Sequence, residues 1–141
     1  MRIRLTILVA LLLAFVSGCG EKKIPVYPVK GTVKFSDGKP VSGGFVEFVC
    51  QNGEAKGRNS NSKIEKDGSF ELESFAQGKG AYAGTSLVTV HSLPTAYDAE
   101  KGKEVPPEVT IPDKYKDYST SGLKFTIEAK ENKIDIVIDR K

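Results

Sequence analysis

The chain has 141 residues, a formal net charge of +3, 28% charged and 9% aromatic residues, no tryptophan, one histidine and two cysteines. That length provides one domain with a single core rather than several. No run of Lys and Arg with interleaved aromatics points to nucleic acid, and one histidine cannot furnish a His-rich metal site or a His-Ser-Asp triad.

Arg2 and Arg4 open the chain with positive charge, and Leu5 to Val16 is an apolar run broken only by Thr6. Small residues Ser17 and Gly18 follow, which is the layout of a secretory signal. The run is too short for a spanning helix, which needs about 20 apolar residues. Val16-Ser17-Gly18-Cys19 resembles the bacterial lipobox, in which a branched apolar residue and two small ones precede a cysteine. The resemblance implies removal of residues 1–18, a thioether-linked diacylglycerol on Cys19 and an amide-linked third acyl chain, commonly palmitate. Several acyl chains hold a protein to a membrane far more firmly than one. The expectation is therefore a lipoprotein anchored to the cell envelope after export. Gly20 rather than Asp after the cysteine points, by analogy with enteric sorting, to the outer membrane. Processing leaves residues 19–141 with 19 basic side chains against 18 acidic ones, so the mature domain is nearly neutral. With Cys19 acylated, Cys50 has no intramolecular partner, and its place in an alternating strand marks it as a buried thiol.

Residues 19–28, ending in "KKIPVYP", read as a lipidated tether of polar residues and prolines; the domain is expected over 29–141. Period-2 alternation recurs through it, and helical periodicity does not. In "VKGTVKF", Val29, Gly31, Val33 and Phe35 share one face, and "SDGKPVSGG" is a turn built on Asp37-Gly38 and Pro40. A second strand is expected over Phe45 to Cys50, with Val46, Phe48 and Cys50 inward, and a short one at Lys63 to Glu65. Asp67-Gly68 turns the chain into Ser69 to Glu73, with Phe70 and Leu72 inward. Thr85 to Ser92 follows, with Val88 and Val90 inward and Thr89 and His91 outward. "LKFTIEA" and "IDIVID" close the chain, the latter with Ile134, Ile136 and Ile138 inward. Seven short strands with turns between them predict an all-β, antiparallel sandwich. Leu93 to Gly122 breaks the rhythm, with four prolines and a short helical turn expected near "PDKYKDYS".

Three stretches together resemble the carboxypeptidase regulatory-like, transthyretin-like domain of planctomycete-type lipoproteins. They are "VKGTVKFSDGKPVSGGFVEFV", "DGSFEL" and "IPDKYKDYSTSGLKFTIEAKENKIDIVI". The resemblance implies a seven-stranded, prealbumin-like or Ig-like sandwich serving as an accessory or surface module, with no catalysis. The chain departs from the pattern at "GAYAGTSLVTV", where Gly84-Thr85-Ser86 stands in place of an expected tyrosine.

No catalytic residue, metal ligand set or cofactor is expected. Asp98, Glu100, Asp113 and Asp117 lack the spacing of a calcium loop. Tyr97, Tyr115 and Tyr118 are the candidate binding surface, able either to stack on sugar rings or to pack over a sheet edge. The leading expectation is a non-catalytic binding or structural module at the envelope, held by lipid on Cys19, with an envelope protein or glycan as partner. The alternatives are an envelope-polymer enzyme or its accessory subunit, and a glycan-binding module.

Overall fold

The structure, a computed structural model, describes residues 23–140, so the signal sequence and Cys19 lie outside the described residues. Short strands dominate it. In chain order they are β1 (Val26–Tyr27), β2 (Val29–Phe35), β3 (Phe45–Cys50), β4 (Asn59–Lys63), β5 (Ser69–Glu71), β6 (Glu73–Ser74) and β7 (Gly78–Lys79). Then come β8 (Ala81–Tyr82), β9 (Gly84–His91), β10 (Ala96–Asp98), β11 (Lys103–Val105), β12 (Leu123–Ile127) and β13 (Asn132–Ile138). The helical turn expected in "PDKYKDYS" is a single 3-10 turn over Asp113–Lys116.

Two sheets make the sandwich. The larger has the order β12-β9-β3-β4-β6-β7, the smaller β13-β2-β5, and β1/β8 and β10/β11 form separate two-stranded pairs. Alternation explains the core between them. Val33, Phe35, Phe70, Ile134, Ile136 and Ile138 from the small sheet are buried with Val46, Phe48, Val88 and Val90 from the large one. The Phe48 ring spans the interface, 6.2 Å from Phe70 and 6.1 Å from Phe125, as expected for tilted aromatic pairs. Both Asp-Gly turns form as the sequence requires. At Asp67-Gly68, the Asp67 carboxylate accepts the Ser69 N–H at 2.9 Å. Gly68 has φ of 84° there, and a Cβ on it would come within 2.6 Å of the Val33 carbonyl oxygen.

The sandwich is thus all-β, but three details differ from the sequence reading. First, β13 runs parallel to β2, in register from Asn132↔Val29 to Ile138↔Phe35. The turn after β12 carries the chain from the large sheet to the small one, where β13 lies beside β2 in the same direction. In this register the inward residues of both strands coincide. Second, the strand expected at Lys63 to Glu65 lies earlier, at Asn59–Lys63, and buried Ile64 follows it directly. Third, the chain is gripped before Val29. β1 pairs with β8, and Ile24 and Val26 pack against Cys50, Ala55 and Tyr82.

Candidate functional site

The strands of the large sheet give the sandwich two distinct ends. At one end lie Cys50, its neighbour Ser86 on β9, and the β1/β8 pair, where the chain enters the domain. At the other end lie Phe45, Lys63 and His91. With six residues in β3 the two ends stand about 17 Å apart.

A groove opens at the second end. One wall is the segment that leaves β4. Ile64 N–H donates to the Gly44 carbonyl at 2.9 Å, and Glu65 N–H donates to the Ser69 carbonyl at 2.8 Å, closing a tight turn. The other wall is the excursion after β9. Pro94, Pro106 and Pro107 fix φ and offer no N–H, so this stretch cannot extend the sheet, and β10 and β11 pair only with each other. Between the walls is a cavity of about 700 Å³, lined on its apolar side by Ile64, Leu93, Pro94, Val105, Pro106 and Pro107. Lys63, Glu65, Lys66, Asp67 and Glu108 complete it with charges of both signs. That volume and apolar lining suit a bound side chain or small group. Among the described residues no aromatic ring lines the groove. The sequence carried one signal of it: prolines and apolar residues gathered where alternation stops.

The three tyrosines do not share a surface. Tyr97 is 68% exposed on β10, and alternation turns it away from the face on which Ala96 lines the groove. Tyr115 is buried in the core, carried inward by the 3-10 turn. Its hydroxyl donates to the Asp139 carboxylate at 3.3 Å and accepts the Asp139 N–H at 2.9 Å. The Tyr118 hydroxyl is buried beside Glu47 and Thr89 and makes no hydrogen bond of good geometry. Burial, and then the Glu47 charge, push its pKa up to about 12.

Thr89 and His91 do point away from the core, as alternation requires, yet Thr89 is 1% exposed because the 93–122 segment folds back over that face. His91 Nε2 lies 2.9 Å from Thr89 Oγ1. The loop carboxylates are each committed locally. Asp98 pairs with Lys101 at 3.0 Å, Asp113 with Lys116 at 2.7 Å, and Asp117 accepts from Ser119. These hydrogen bonds hold all three carboxyls below the usual carboxylate range, those from the Lys101, Lys116 and Ser119 side chains weighing most. Among the described residues no three His, Cys, Asp or Glu side chains converge. Cys50 is a buried free thiol that donates to the Asn52 carbonyl at 3.2 Å.

No known protein family matches the sequence, and no curated protein does either. Among solved structures, the major pilin subunit of Bacillus cereus is similar, with 12% identity and a TM-score of 0.44. The match covers 81% of this chain and 29% of the pilin, so the chain spans less than a third of that protein.

Proposed function

We propose that this chain is a bacterial lipoprotein, held to an envelope membrane by acyl groups on Cys19, whose carboxypeptidase regulatory-like sandwich is a non-catalytic binding module for a segment of a partner protein. The observation that carries the reading is the polarity of the domain. Ile24 packs at one end and the groove opens at the other. Three residues separate Cys19 from Lys23, so the four steps between them reach at most about 14 Å when fully extended. An anchor so close turns the first end toward the bilayer and the groove away from it. The groove's own chemistry supports a protein segment as occupant. Its floor buries an apolar side chain, its mixed charges favour neither a pure anion nor a pure cation, and among the described residues no ring lines it on which a sugar could stack.

The test places a photo-crosslinking amino acid at Val105, in the groove, and at Val137, 59% exposed on β13, as control. It is run in host cells, and the mature protein is weighed intact. An acyl-modified Cys19 and a protein adduct from position 105 alone are expected. An unmodified amino terminus sinks the anchor. Equal adducts at both positions, or none, sink the groove as the binding site.

A further inference from the structure

Phe75 stands apart from every other large apolar side chain among the described residues. Its relative exposure is 102%, against 68% for Tyr97 and 59% for Val137. Single exposed apolar residues are ordinary on protein surfaces, but this one is a whole phenyl ring at the outermost point of a tight turn. It begins the Phe75-Ala76-Gln77 connection between β6 and β7, closed by the Ser74↔Gly78 pairing and the Gln77 N–H to Ser74 carbonyl bond. No part of the domain covers it.

Its position gives the exposure a meaning. Ser74 Oγ and the Tyr82 hydroxyl are hydrogen-bonded at 2.7 Å, and Tyr82 pairs with Val26 on β1. The tip therefore projects from the end at which the chain enters the domain, opposite the groove. Gly57 and Arg58 flank Phe75 across a shallow depression, and exposed Lys56 and Lys23 belong to the neighbouring loop and to the entering chain. An exposed aromatic ring with cationic side chains on the adjoining segments suits the boundary between anionic headgroups and acyl chains.

We infer that the Phe75–Gln77 turn is a second membrane contact, with the Phe75 ring inserted at the headgroup boundary of the phospholipid bilayer. The inference rests on the anchor proposed above. The acyl chains supply attachment, and the turn, a fixed point beside them, supplies orientation. The anchor alone selects the end that faces the bilayer and leaves the tilt of the domain unset. A second contact at the same end holds the groove outward.

The chain contains no tryptophan, so a single introduced indole reports its own surroundings. Phe75→Trp and, as the opposite-end control, Tyr97→Trp are purified full-length from host membranes and weighed intact. Each is reconstituted into vesicles of phosphatidylethanolamine and phosphatidylglycerol with brominated acyl chains. The expected result is acylated protein in which the indole at position 75 is blue-shifted and loses intensity to bromine, while that at position 97 does neither. Acylated protein with neither indole quenched overturns the second contact and leaves the anchor standing. Quenching at both positions overturns the orientation. Protein without acyl groups overturns the anchor and the inference with it.

Discussion

The parallel pairing of β13 with β2 can be tested by one added methyl group. Gly31 sits in the middle strand of the small sheet, opposite Ile134 on β13 and Phe70 on β5. A Cβ on Gly31 would fall on the Ile134 carbonyl oxygen and lie 2.6 and 2.8 Å from Cζ and Cε1 of the Phe70 ring. The ring is a side chain and can swing. The oxygen belongs to a strand paired along seven residues and cannot move without parting the ladder. Replacing glycine by alanine gains roughly 0.5–1 kcal/mol in a strand from lower chain entropy, whereas overpacking a core costs about 1–3 kcal/mol. With backbone as the immovable partner, the cost lies at or above the top of that range. The net loss expected for Gly31→Ala is about 2 kcal/mol, a fall in Tm of roughly 10 °C for a domain of this size.

Thermal and urea unfolding, followed by far-ultraviolet circular dichroism, measure this directly. Two comparisons separate sterics from backbone preference. Gly53 has φ of 68° with open space around it, so Gly53→Ala loses only about 1 kcal/mol from the left-handed conformation. Phe70→Leu in the Gly31→Ala background relieves the ring but not the carbonyl, and recovers only part of the loss. If Gly31→Ala is no less stable than the parent, β13 does not lie against β2 in this register.

Two further outcomes follow from ionisable groups. In an absorbance titration of the five tyrosines, one phenol should titrate late, near the value of about 12 set for Tyr118 by burial and Glu47, and Tyr118→Phe should remove that step. Because the folded value lies above the ordinary one of about 10, this group's contribution to stability is complete below about pH 10 and is lost as pH rises through the folded value. Asp37 and Asp139 behave with the opposite sign. The Arg140 hydrogen bond at 2.8 Å and the Lys114 hydrogen bond at 3.1 Å hold their carboxyls below the usual value. Their contribution is present above about pH 4 and lost as pH falls through the folded values. Arg140→Ala should flatten the acid limb of a Tm-against-pH curve, and an unchanged limb would show that the pair adds nothing.

Alternation was enough to locate β2 and β3 at their observed ends, because each has one buried face and a turn on at least one side. It could not reveal how strands pair. An inward face at every second residue satisfies a parallel neighbour as well as an antiparallel one, so nothing in "IDIVID" distinguished β2 from another partner. Periodicity was silent for β4, where "NSNSK" is polar throughout and is held by its neighbours rather than by its own burial. β1 was hidden between Pro25 and Pro28. Tyr115 was left open between two readings for a different reason. A phenol can be wet or buried, and a 3-10 turn of four residues is too short to show which of its faces is inside. The groove was legible only as a gathering of prolines, since its two walls lie about thirty residues apart in the chain and meet through tertiary folding alone.

The two walls of the groove are not equally fixed, and this bears on what it can hold. The Ile64 wall continues from β4, and Ile64 itself is 1% exposed within the main core. The facing wall is an excursion pinned where it leaves and where it returns. The Ser92 hydroxyl accepts the Ile111 N–H at 2.9 Å, Ile111 is fully buried, and Tyr115 follows it into the core. Between those pins, residues 93–110 include no buried side chain, and their pairing is confined to β10 with β11. Segments with few buried contacts open at low free-energy cost. An occupant can therefore widen the groove by moving the proline-rich wall while the sandwich, the Tyr115–Asp139 contact and the end at Ile24 stay in place. A module built this way selects its partner by the apolar pocket at Ile64 and accommodates the rest of the partner's bulk by displacement of Val105 to Pro107.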